Sequence, residues 1–174
     1  KAFVGKNIIH LAVFRKNDNR TIYNVVYRDG KAGSIFAKRF AVTGITRDKE
    51  YNVTQGTSHS EVIYFSANAN GEAEVMKVMI KPKPRIRNVV FDFDMASLTI
   101  KGRASMGNIL TKNEIHKIAL KKKGESTLGG RKIWYEPETR RLNADVRGNY
   151  LGEFQVSNQL LVINKTGEFY TTGF

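Results

Sequence analysis

The chain has 174 residues, no cysteine, and 29 lysines and arginines against 16 acids, a formal charge of +13. Apolar residues at 41% exclude a disordered chain, and the absence of cysteine excludes disulfides, thiolate zinc sites and cysteine nucleophiles, which suits a reducing cytoplasm. No uncharged apolar run approaches the roughly 18 residues of a membrane span, and no secretory leader opens the sequence.

The length suits one domain over residues 1–174 or an array of small repeats. A pI near 10.0 favours a polyanionic partner, DNA or RNA. Lys1 stands where a Met would open a complete chain, and Phe174 falls inside what reads as a hairpin. An excised segment of a larger protein is therefore expected.

In chain order, Ile8–Phe14 reads as a buried-type strand, Lys16–Arg20 as a turn and Thr21–Tyr27 as a β-rich return. Asp29-Gly30 marks a second turn before Gly33–Phe36, a strand that runs on to Lys38-Arg39-Phe40. Gly44 and Gly56 flank a short segment. Val62–Ser66 and Ala73–Ile80 read as strands around the turn Ala67–Glu72. In Lys81-Pro82-Lys83-Pro84-Arg85-Ile86-Arg87 the prolines favour extended geometry. Period two then places Lys81, Lys83, Arg85 and Arg87 on one face, about 6.6–6.8 Å apart, as a ladder for a phosphate backbone. A solvated linker is the plainer alternative.

Asn88–Ile100 returns to strand, followed by Leu98–Lys123, where seven lysines and arginines face one acid, Glu114. Thr111-Lys112-Asn113-Glu114 fits a helix capping box, but Ile118 and Leu120 alternate as in a strand, and strand is the expectation here. Gly124–Gly130 is a loop, Arg131–Tyr135 a strand with the sole Trp, Glu136–Thr139 a turn, and Gln159–Asn164 a buried-type strand opening a final hairpin.

A pattern recurs three times: apolar residues, a charged turn ending in glycine, one polar residue and two apolar ones. It occurs around Gly33, Gly107 and Gly167. Short strands in a loosely repeated unit suggest an all-β, propeller-like array of antiparallel blades; a β-sandwich has much the same strand count.

The turn Lys101-Gly102-Arg103-Ala104-Ser105-Met106-Gly107-Asn108 resembles the degenerate Gly-Arg-x-x-x-Gly turns in C-terminal domains of bacterial type IIA topoisomerase A subunits, of DNA gyrase and topoisomerase IV. Lys38-Arg39-Phe40 and the ending Leu160–Phe169 are similar to that family's blade signatures. The resemblance implies a β-pinwheel, here a partial ring of four-stranded blades, that binds and bends double-stranded DNA on its rim. It implies as partners the remaining A-subunit domains and the ATPase B subunit, a cytoplasmic, nucleoid-associated location, and no membrane. Gyrase carries a Gln-Arg-Arg-Gly-Gly-Lys-Gly box that nothing here reproduces. Lys101–Gly107 and Leu128-Gly129-Gly130-Arg131-Lys132 come nearest but lack the double arginine, which points to a topoisomerase IV-like parent or a gyrase whose box lies elsewhere.

The family cleaves DNA with a tyrosine that follows an arginine, in another domain; none of the seven tyrosines here does so. No cofactor is expected in this segment, ATP and Mg²⁺ being handled by other parts of the parent enzyme. Asp92 and Asp94 could hold a metal as a D-x-D pair but more often face solvent, and His10, His59 and His116 are scattered. Binding through phosphate neutralisation is the expected function, with Lys38, Arg39, Lys101, Arg103, Lys112, Lys121, Lys122, Lys123, Arg131 and Lys132 as contacts, and Lys81, Lys83, Arg85 and Arg87 next. The alternatives are a basic all-β RNA-binding domain and a protein-interaction propeller.

Overall fold

The structure, a computed structural model, describes residues 5–155 and 158–173. These residues form thirteen strands and one short 3-10 turn, Met95–Ser97. They fall into two compact units, Lys1–Thr127 and Leu128–Phe174.

The first unit holds two sheets. One runs in the order β3 (Glu61–Asn68), β1 (Ile22–Arg28), β2 (Ile35–Ala41). Two short strands share the far edge of β2 end to end: β6 (Ile100–Gly102) runs parallel beside Arg39–Ala41, and β7 (Asn108–Thr111) antiparallel beside Ile35–Ala37. The other sheet is β5 (Val90–Asp94), β4 (Val75–Ile80), β8 (Ile115–Lys122). The strands interleave. A tight turn joins β3 to β4, yet they lie in different sheets, and the chain then returns to the first sheet with β6 and β7 and to the second with β8.

Alternation along β2 explains the core. Ile35 and Ala37 point to one face, where they meet Val26, Met76, Met95 and Leu98 between the two sheets. Phe36 and Phe40 point to the other, against Val25 and Tyr27, with Val53, Val62 and Phe65 around them. A central strand covered on both faces is buried at nearly every position rather than at alternate ones, here Lys38 and Arg39 included.

The second unit holds a three-stranded sheet, β10 (Arg141–Asn143), β9 (Arg131–Glu136), β11 (Asn149–Phe154), and a hairpin of β12 (Leu160–Ile163) and β13 (Phe169–Thr172). A bulge between Tyr150 and Gly152 shifts the register of β11.

The all-β expectation holds, and Ile115–Lys122 is strand rather than capped helix. Four expectations are corrected. Ile8–Phe14 forms no strand and its aliphatic side chains are exposed. Its intended partner β1 already has β2 and β3 on its two edges, so no ladder remains for it. The Lys81–Arg87 ladder is not extended: Ile86 N donates to Lys83 O at 3.1 Å and Arg85 has φ +76°. Pro84 and Arg85 thus take the central positions of a type II turn, and the segment is the hairpin between β4 and β5. The strand across Asn88–Ile100 breaks at Met95, where the Asp94 carboxylate accepts from Ala96 N at 2.8 Å. The final hairpin forms as expected, but β12 is not buried: Leu161 and Ile163 are largely exposed.

The three repeated glycines do different work. Gly33 and Gly167 have φ of +66° and +89°, a region open to glycine. Gly107 is fixed by contact, since a Cβ there would sit 2.7 Å from Ala37 O.

Candidate nucleic-acid interface

Two of the expected contacts, Lys38 and Arg39, are 2% and 1% exposed. They are adjacent on β2, so one enters each side of the sheet. Arg39 lies on the inter-sheet side. Its Nε donates to Asn24 Oδ1 at 3.1 Å, and one Nη donates to Gly71 O at 2.8 Å and Glu72 O at 3.4 Å. Asn24 Nδ2 donates in turn to the Glu74 carboxylate at 2.9 Å, which also accepts from Ser66 Oγ. Burial lowers the Arg39 pKa, opposed by Asp94 and Glu74. Burial, with Glu74 nearby, pushes the neighbouring Tyr64 phenol up to about 12.

Lys38 lies on the aromatic side, its Nζ 5.3 Å from the Phe40 ring centroid. The ammonium donates to Arg103 O at 2.7 Å and Ser105 O at 3.0 Å, and burial lowers its pKa. Both cations are enclosed by protein partners, which corrects their assignment to phosphate.

The second sheet gathers eight of the others. Lys81, Lys83, Arg85 and Arg87 lie in its β4–β5 hairpin, Lys112 in the turn before β8, Lys121 and Lys122 at the end of β8 and Lys123 just after it; all are exposed. Register adds two that the sequence analysis missed. Lys77 faces outward on the central strand, opposite Ala119 and Asp92, while Lys117 opposes Met79 and Lys122 opposes Val75, all on that same outer face. The missed signal is plain in Val75-Met76-Lys77-Val78-Met79-Ile80, where period two turns Lys77 away from buried Met76 and Val78. Residues 75–94 and 111–123 together carry ten cations and three acids. Two of those acids are paired, Asp92 with Lys121 and Glu114 with Lys81. The hydrogen bond from Lys81 holds the Glu114 carboxyl below its ordinary range.

Lys101 and Arg103 form a separate feature beside the loop 44–56. The Arg103 guanidinium lies over the Tyr51 ring at 3.7 Å and donates to Gly44 O at 2.5 Å. Lys101 Nζ reaches Asn108 Oδ1 at 3.2 Å. Tyr51 Oη accepts from Thr46 N at 2.9 Å. That contact, with Arg103 and Lys49 nearby, lowers the phenol pKa. In the second unit, Arg131 and Lys132 open β9, where Lys132 stands opposite Glu153.

Among the described residues no group of three or more His, Asp and Glu could hold a metal. Asp94 caps the 3-10 turn and Asp92 pairs with Lys121, so each carboxylate of the D-x-D has a local role. Among the described residues no helix is long and apolar enough to cross a membrane.

Fold and surface together define an all-β protein in which ten of the 29 cations lie in or beside one three-stranded sheet. The family model of the topoisomerase C-terminal domain in Bacteroidota matches residues 1–123. The chain belongs to that family. The match ends at Lys123, immediately after β8, and so spans both sheets of the first unit. No match was found among curated proteins or among solved structures.

Proposed function

We propose that this domain binds and bends duplex DNA as a non-catalytic part of a topoisomerase IV-like or gyrase-like A subunit. In this reading it is part of a β-pinwheel that presents DNA to the strand-passage gate, works in the cytoplasm, and leaves ATP and Mg²⁺ to the other domains and the B subunit. The observation that carries it is the outer face of β5-β4-β8, where Lys77, Lys117 and Lys122, with Lys121 paired to Asp92 beside them, lie between a cationic hairpin and Lys123.

The physics is phosphate neutralisation. Each engaged cation displaces condensed counterions, which favours binding most at low salt and discriminates little among sequences. A bend of 40–90° over 20–30 base pairs costs about 1–6 kcal/mol, which a long run of cations offsets more readily than a single contact.

The test is duplex affinity against salt, with structured RNA as competitor at matched salt. Engagement of about eight phosphates gives a log–log slope near −7. Closing nicked plasmid around the domain should shift linking number. Clear preference for RNA, or a slope near zero, would remove DNA from the function; unchanged linking number would remove wrapping.

A further inference from the structure

The turn between β6 and β7 is fastened at nearly every residue. Lys38, buried beneath it, holds Arg103 O and Ser105 O. Ser105 N donates back to Gly102 O at 3.0 Å. Arg103 is tied to Gly44 O and laid over Tyr51. Gln55 Nε2 reaches Ala104 O at 3.5 Å, and Gly107 N donates to Tyr27 Oη at 3.3 Å. Gly107 itself is pressed against Ala37. The exception is Met106, whose apolar side chain is 52% exposed.

Keeping an ammonium out of water costs free energy unless it is well hydrogen-bonded. Here that ammonium serves two carbonyls of a surface turn, so what it secures is the turn's shape. A rigid backbone carrying one projecting apolar side chain, with Lys101 and Arg103 just before it, is complementary to a duplex: cations for the phosphates and a hydrocarbon probe for the stack. Apolar side chains inserted at a base step unstack it and kink the duplex by about 20–90°. Methionine is unbranched and soft, which suits entry into a narrow gap.

We propose that Met106 is an apolar wedge that enters a base step of bound duplex DNA, with Lys101 and Arg103 on the flanking phosphates, and so sets where the duplex kinks. This rests on the DNA-binding reading above. It favours pyrimidine–purine steps, which unstack most readily. Bending is thereby localised at one step instead of spread along the cationic face.

The test uses the full chain and a duplex of about 30 base pairs with a dye at each end. Met106→Ala should bind within about threefold of wild type, since it removes no charge, but lose half or more of the change in energy transfer. Met106→Leu should restore it. Wild type should also prefer a duplex with a central abasic site, where unstacking is already done, and Met106→Ala should lose that preference. If Met106→Ala binds and bends as wild type does, the wedge is overturned and the DNA-binding reading stands. If wild type does not bind duplex at all, both fall. The side chain is exposed, so a thermal melt matching wild type confirms that the variants are folded.

Discussion

Lys38 and Arg39 on β2 and Lys77 and Lys117 on the second sheet are cations of the same kind on strands of similar composition, yet their environments are opposite. The first pair is enclosed, one on each side of a central strand that is packed on both faces. The second pair stands on the outer face of a sheet that is packed on one face only. What decides is the covering of the strand, not the residue type. The enclosed cations organise the molecule, and the open ones are free to meet a partner.

The comparison can be broken from either side, beginning with the largest effect. Arg39→Met strips the charged donor from Asn24 Oδ1 and from the Gly71 and Glu72 carbonyls and should cost about 1.5–3 kcal/mol of stability, read as a shift in urea midpoint. The protein that remains folded should keep its salt slope on DNA. A loss under about 1 kcal/mol would show that the buried network contributes little. Lys38→Met strips the donors from two carbonyls and should cost about 1–3 kcal/mol.

The pH dependence of Lys38 has a definite sign. Burial holds its folded pKa below the unfolded value of about 10.4. Between the two pKa values the unfolded chain binds more protons, so wild type gains stability as pH rises through that window and loses it as pH falls through the folded pKa. Lys38→Met should lack this slope, which denaturation at neutral and at alkaline pH can check.

On the other side, the triple change Lys77→Gln, Lys117→Gln and Lys122→Gln should leave stability within about 0.5 kcal/mol. It should flatten the salt slope on DNA by roughly 2–3. An unchanged slope would take the outer face of β4 and β8 out of the contact surface. Tyr51→Leu has the smallest expected effect. It removes the ring beneath Arg103, worth about 0.5–1 kcal/mol, and should lower duplex affinity by a factor of about two to five.

Much of the strand content was legible in the sequence. Thr21–Tyr27, Val62–Ser66, Ala73–Ile80 and Arg131–Tyr135 all overlap observed strands because β-branched and aromatic residues are bounded there by turn formers. Ile35-Phe36-Ala37-Lys38-Arg39-Phe40-Ala41 also held the answer for its two cations. Adjacent residues on a strand cannot both face out, and this run is apolar on both sides. What could not be read was pairing. Ile8–Phe14 has the composition of a strand, but whether a segment becomes one depends on a free edge elsewhere. Lys81–Arg87 has extended-favouring prolines, yet the antiparallel match of β4 with β5 forces a reversal between them. The clustering of the cations on one sheet was partly visible. Their spacing in sequence indicated turns and ends, while Lys77 and Lys117 needed the register.

The alternate threading of the chain between its two sheets has a consequence for how the first unit unfolds. Peeling β8 from one sheet pulls on β7 in the other through a connection of three residues, 112–114, and β3 and β4 are coupled likewise. Neither sheet can open alone, so amide exchange in β1 and in β4 should report one shared protection free energy. A chain cut after residue 111 would lose cooperativity in both sheets, not simply one strand.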